Sequence, residues 1–123
     1  MNRNKFVRVA ASVVLGLAGL GAAAAPPPTD GHALLARCRD RAQPGACFNA
    51  LLAVADMHDV VAAWGLGPAR WCMPSTPPPA RLRDAVLAWL EDPARSARDL
   101  NAPATRLIAE AYAVAFPCVA ADR

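Results

Sequence analysis

The residues of this 123-residue sequence that could do chemistry are four cysteines, two histidines and a scatter of carboxylates. Cys38 and Cys47 are nine positions apart and flank Gln43-Pro44-Gly45, a turn signal. Cys72 stands in Trp71-Cys72-Met73-Pro74, and Cys118 follows Ala115-Phe116-Pro117. None of the four has the C-x-x-C spacing of a zinc site, and no metal is expected. In an exported protein four such cysteines read as two disulfides, with three connectivities open. The spacing favours Cys38–Cys47 and Cys72–Cys118, bridges that contribute about 2.7 and about 4 kcal/mol in the loop-entropy model.

The remaining chemistry is thin. Asp56-Met57-His58-Asp59 could suggest a metal or an acid–base site, but residues one and two apart splay to different sides of a helix. His58 is expected to be structural, and His32 to be an exposed residue of a first helical turn. Ser75 and Ser96 sit in capping or loop contexts. There is no glycine-rich phosphate loop, and no pair of carboxylates shares an apolar stretch. No enzyme activity and no cofactor are expected.

Export is itself read from the sequence. Arg3, Lys5 and Arg8 precede an apolar run from Val9 to Leu20, and Ala22 to Ala25 are small. This is the three-part pattern of a secretory signal peptide, expected over residues 1–24 with cleavage after Ala24. The run is shorter than the roughly 20 residues that span a bilayer, so no membrane anchor is expected after processing. The leader also carries the whole charge excess. Of 13 basic residues it takes three, leaving ten arginines against 10 acidic residues. A neutral domain without a clustered basic face is no candidate for nucleic-acid binding.

The elements that must position these residues are helices. Residues 25–123 are long enough for one modest domain. After Pro26-Pro27-Pro28, Thr29 or Asp30 can cap a helix from His32 to about Ala42, with Leu34, Leu35 and Cys38 inward. Cys47 to about Trp64 reads as a long helix. Its apolar residues, among them Phe48, Leu51, Val54, Val61 and Trp64, cover more than half the circumference, the mark of a central helix with neighbours on several sides. Gly65-Leu66-Gly67-Pro68 ends it. Ser75 or Thr76 is expected to cap a third helix, with Pro77 to Pro79 in its first turn and Leu82, Val86, Trp89 and Leu90 inward. Asn101 is expected to cap the last helix. There Leu107, Ile108, Ala111, Tyr112, Ala115 and Phe116 share one face, and Pro117 stops the chain from continuing as helix. With no strand alternation, the fold class is all-α: a compact bundle of four main helices stapled by two disulfides.

The C-terminal half resembles a known family, the Rap/Tai immunity proteins. The resemblance lies in Trp71-Cys72-Met73-Pro74, then Ala88-Trp89-Leu90-Glu91-Asp92-Pro93, then Ala115-Phe116-Pro117-Cys118, over about 80 residues. Upstream, Cys38 and Cys47 stand where the family has its first two cysteines, and Asp56 falls on its aspartate. Asn49, Ala50 and Ala53 depart from the Gly, Tyr and Gly that the family favours there. The resemblance implies a periplasmic, all-helical, disulfide-stabilised protein, often a homodimer. It would bind a cognate peptidoglycan amidase effector of type VI secretion and block its active-site cleft. Obstruction needs a protruding segment rather than catalysis. The polar connection from Asp92 to Asn101, with Arg95, Arg98 and Asp99, is the expected effector-binding segment. The alternative is another small periplasmic helical binding protein, such as an acid-stress chaperone. It is disfavoured by the absence of a lysine-rich solubilising face and by the Phe-Pro-Cys ending.

Overall fold

Asp30 sets the first helix. Its backbone is extended, and its carboxylate accepts a hydrogen bond from the Ala33 N–H at 2.9 Å, satisfying a donor that the helix end leaves free. The computed structural model describes residues 26–73, 75, 77–95 and 99–119, and the expected leader lies outside them. Helix α1 is Gly31–Arg39, α2 is Gly45–Ala63, α3 is Pro79–Leu90 and α4 is Ala104–Ala115, with a single 3-10 turn at Asp99–Asn101. Among the described residues the only β contact is an isolated bridge between Asp30 and Pro103. The all-α bundle is thus observed, with both disulfides, Cys38–Cys47 and Cys72–Cys118.

Several boundaries differ from the sequence reading. α1 stops at Arg39, three residues early, because Asp40 takes an extended backbone and its side chain accepts from the N–H groups of Ala42 and Gln43. That local alternative outcompetes another helical turn. α3 begins at Pro79 with Pro78 as its N-cap and no side-chain cap. A residue that precedes a proline is pushed out of helical geometry, so of Pro77 to Pro79 only the last enters the helix. Pro103 stands ahead of α4 with an extended backbone (φ −54°, ψ 135°), no side chain caps this helix, and Asn101, the expected cap, lies in the 3-10 turn. The Ala104 N–H donates instead to the Thr29 carbonyl at 3.1 Å, tying the start of α4 to the lead into α1. Gly31 sits in this junction. A Cβ there would lie 2.5 Å from a Leu107 methyl and 2.8 Å from the Leu100 carbonyl oxygen, so only glycine lets the backbones meet.

The end of α2 follows its sequence signal. Gly65 has φ of 66°, and the N–H groups of Gly65 and Leu66 return to the carbonyls of Ala62 and Val61. This is a Schellman ending, which needs the left-handed backbone that glycine supplies. α4 likewise ends before Pro117.

The core lies among the four helices. Leu34 and Cys38 of α1, Cys47 and Leu51 of α2, Leu82 and Val86 of α3, and Leu107, Ile108 and Tyr112 of α4 are all buried. Two expectations about facing fail. Ala115, assigned to the inner stripe of α4, is exposed at the helix's last position, while Phe116 beyond it is buried. α2 is not surrounded. Only Cys47 and Leu51 of it are buried, and Met57, Val60 and Trp64 are exposed. Its neighbours lie along one side, so its apolar circumference exceeds what the bundle covers.

Candidate functional site

Two surfaces flank α4, and each contains residues that the sequence singled out. The first is the connection after α3. Once α3 ends at Leu90, the Asp92 carboxylate accepts from the Ala94 N–H at 2.8 Å and its carbonyl accepts from the Arg95 N–H at 2.8 Å. This turn sends the chain back across the end of α3 and lays the Arg95 guanidinium over the Trp89 ring, 3.9 Å from its centroid. At that distance the ring face attracts the cation and holds a long side chain in one pose. Trp89 itself is buried on the inner stripe of α3, so the platform is fixed by the core. Arg95 and Asp99 both border an open cleft of about 550 Å³, with Arg106 and Glu110 of α4 opposite.

Of the four expected binding residues, the structure therefore brings Arg95 and Asp99 to one cleft. Asp92 forms the turn that aims Arg95, and Arg98 lies outside the described residues. Arg106 and Glu110 escaped the sequence reading. They pair at 2.8 Å, and their spacing of four on a helix was the available signal.

The second surface centres on Trp71. Its ring stacks on His58 with centroids 3.9 Å apart and meets Tyr112 edge-on at 5.4 Å, and Tyr112 meets Phe116 at 6.0 Å. Arg81 lies over Phe116 at 5.5 Å. This aromatic ladder is clamped beside the Cys72–Cys118 bridge. The Cys72 N–H donates to the Phe116 carbonyl at 2.8 Å, so the strap carrying Trp71 and the end of α4 are held covalently and by a hydrogen bond. The Tyr112 hydroxyl is buried and donates to the Leu51 carbonyl of α2 at 2.9 Å. Burial raises its pKa above the ordinary tyrosine value, because the phenolate would have to leave water.

His58 is structural, as expected. Its Nε2 accepts from the Arg70 backbone N–H at 3.1 Å, so the proton sits on Nδ1, which faces Asp59 at 3.3 Å. Both ring nitrogens are engaged and the ring face is covered by Trp71. Asp56 is exposed and not part of this arrangement. All four sulfurs are consumed in bridges. Among the described residues no three of His, Cys, Asp and Glu stand close enough to hold a metal ion.

Beside the ladder the outer side of α2 forms a broad apolar groove of about 740 Å³. Pro27 and Pro28, Ala53, Met57 and Val61, Leu66 and Pro68, and Ile108 and Ala109 line it. No sequence reading anticipated it, since the excess apolar character of α2 was assigned to burial.

The family model of the Rap1a immunity proteins matches residues 30–118, a span that runs from the cap of α1 to the last cysteine. No curated protein and no solved structure gives a match.

Proposed function

Because the chain belongs to the Rap1a family of immunity proteins, we propose that it is a periplasmic immunity protein whose partner is a peptidoglycan amidase effector of type VI secretion. It is exported by residues 1–24 and works as the single domain 25–123. It acts by occlusion: its surface fills the amidase's active-site cleft and excludes the peptidoglycan substrate. It contributes no reacting group of its own.

The observation that carries the reading is the family match over nearly the whole domain. What supports the choice of surface is the connection after α3. Glu91 to Arg95, Asp99 and Asn101 of it are exposed, and it is anchored at one end by buried Trp89 and Leu90 and at the other by buried Ala104 and Leu107. Between them Arg95 is held against Trp89 before any partner arrives. A long side chain already ordered loses less freedom on binding, and arginine and aromatic residues dominate interface energetics. Arg95, Arg98 and Asp99 are the contacts of this surface, with Asp92 setting the turn that presents them.

The test is inhibition of a type VI peptidoglycan amidase effector from the same cell, measured on purified peptidoglycan. The intact protein abolishes product release at stoichiometric amounts. Arg95→Glu with Arg98→Glu weakens inhibition by roughly 30-fold or more, the loss of at least about 2 kcal/mol expected of an arginine anchor. Unchanged inhibition by that variant moves the contact elsewhere. Failure of the intact protein to inhibit removes the function.

A further inference from the structure

The groove on the outer side of α2 offers almost no hydrogen bonds along its length. Its floor is Ala53 and Met57 of α2 with Ile108 and Ala109 of α4, mid-helix residues whose backbone groups bond within their own helices. Pro27 and Pro28, which have no N–H, wall the end beside Ala50. The loop from Leu66 to Trp71 forms the other end, where Gly67 lies against Val61. Polar side chains in the lining are few. His58 has both ring nitrogens engaged, and Thr105 stands at the start of α4. The lining holds no carboxylate and one arginine, Arg70. Among the described residues the Arg70 side chain makes no ion pair and no hydrogen bond; only its backbone N–H is used, by His58.

These walls select the occupant. An extended peptide would bring N–H and C=O groups that the floor cannot satisfy, and each is costly to bury. A hydrocarbon chain needs no partner along its length and one partner at its head. The lone uncompensated charge is positive, so the head it matches is an anion. We propose that the groove is a binding site for a single-chain anionic amphiphile, a long-chain fatty acid. Its carboxylate sits on the Arg70 guanidinium, and its chain runs along the floor toward Pro27 and Pro28.

The dimensions agree. From Ala50 to Val61 α2 rises about 16 Å. An all-trans chain advances about 1.2 Å per bond, as an extended backbone does, so the groove holds about 13 carbons. Its volume of about 740 Å³ lies within the roughly 300–1,000 Å³ of small-molecule sites, which join apolar walls to a few placed polar groups. The guanidinium fork can donate two parallel N–H bonds to a carboxylate. The root of Arg70 is held in place, because its N–H donates to His58 at 3.1 Å and His58 stacks on the buried Trp71. Met57, unbranched and adaptable, can follow the shape of a chain beside it. The cleft bordered by Arg95 is lined by Arg106 and Glu110 of α4, the groove by Thr105, Ile108 and Ala109, so an occupant of one leaves the other open.

The test uses protein exported from the full chain, purified from the periplasm and stripped of lipid, titrated calorimetrically with monomeric tetradecanoate. The expected result is one site per chain with a dissociation constant below about 100 μM, the strength with which one such chain enters a bilayer. Tetradecyltrimethylammonium, with the same chain and the opposite head, should bind about 10-fold more weakly. Arg70→Glu should reverse that order, an exchange that a merely structural role of Arg70 would not produce. Ala53→Trp, at an exposed position of α2, should fill the floor and abolish binding of both probes, with circular dichroism reporting that the fold is kept. No binding tighter than about 100 μM overturns the proposal. So does a wild-type protein that binds the two heads equally, or a folded Ala53→Trp variant that binds as before. Binding to phosphatidylglycerol vesicles without binding of monomeric tetradecanoate would assign the face to a membrane surface and overturn it too. Amidase inhibition is read separately, so failure here leaves the immunity reading standing.

Discussion

α4 buries five of its 12 residues, whereas α2 buries two of 19, although both are rich in alanine, valine and leucine. The difference is arrangement. In α4 the large residues Leu107, Ile108 and Tyr112 lie on one line, so a single contact with the bundle covers them together. In α2 they are spread around the helix, and the bundle buries only Cys47 and Leu51 while covering Phe48, Leu52 and Val54 in part. Apolar content measures how much surface a helix would hide, but periodicity decides how much one set of neighbours can hide. The surplus on α2 lines the groove. α4, by contrast, turns Leu107, Ile108, Ala111 and Tyr112 into the core, leaves Val114 in water, and leaves Arg106 and Glu110 for the cleft.

The largest effect expected from breaking this contrast is at the end of α4. Cys72–Cys118 closes a sequence separation of 46, against nine for Cys38–Cys47, and the loop-entropy model gives it about 4 kcal/mol against about 2.7. Replacing Cys72 and Cys118 by serine should lower unfolding free energy by about 4 kcal/mol in urea titrations. Both cysteines are exposed, whereas Cys38 and Cys47 are buried. Under native conditions a dithiol reductant should therefore open Cys72–Cys118 first, as thiol labelling and peptide mapping would report. Opening of the buried bridge first would mean that the two helix pairs are not protected as their packing implies.

The middle of the two helices gives a more direct comparison. Ile108 is fully buried, and Ile108→Ala should cost about 2–5 kcal/mol, the transfer loss plus the cavity left behind. Val60→Ala, on the exposed side of α2, should change stability by no more than about 0.5 kcal/mol. Denaturant midpoints of the two variants, measured on dilute protein, would make the comparison. Similar costs at the two sites would mean that α2 is covered within one chain after all.

These contrasts mark how far the sequence was readable. The disulfide pairing followed from two local facts, a turn between Cys38 and Cys47 and a proline-stopped helix before Cys118. The inner stripes of α3 and α4 followed from period, because Leu82, Val86, Trp89 and Leu90, like Leu107 and Ile108, recur at helical spacing. Helix starts were less readable where prolines cluster: Pro77 to Pro79 look alike in sequence, and each restrains the residue before it. The Thr29 carbonyl that receives the Ala104 N–H lies 75 residues away along the chain, and no local signal announces it. For the candidate site, the turn at Asp92-Pro93 and the arginines beyond it were legible as an exposed connection. That Trp89 serves as the platform for Arg95 was not, because its position on the inner stripe accounted for it fully as core. The stacking of His58 on Trp71 is likewise a meeting of α2 with a distant strap. The open side of α2 was misread for the reason given above: composition signals a need for cover, not what provides it.

The smallest of these effects is the cleanest, because a single group carries it. The bond from the Tyr112 hydroxyl to the Leu51 carbonyl is, among the described residues, the one place where a buried α4 side chain hydrogen-bonds the backbone of α2. Burial holds the phenol's pKa above its value of roughly 10 in the unfolded chain. As pH rises past that value, the unfolded state releases a proton that the folded state keeps, so stability falls. The slope is about 1.4 kcal/mol per pH unit between the unfolded and folded values, and below the unfolded value it vanishes. Few other groups can confuse the reading. The chain has one tyrosine, its lone lysine is at position 5, within the expected leader, and all four cysteines are bridged. Unfolding free energies of the processed protein at successive pH values from 8 to 11 should be flat and then decline, and Tyr112→Phe should abolish the decline. At neutral pH the same variant should cost about 1 kcal/mol, the net value of one hydrogen bond. A wild-type profile that stayed flat to pH 11 would place the hydroxyl in water and dissolve the link between the helix that is fully used and the one that is not.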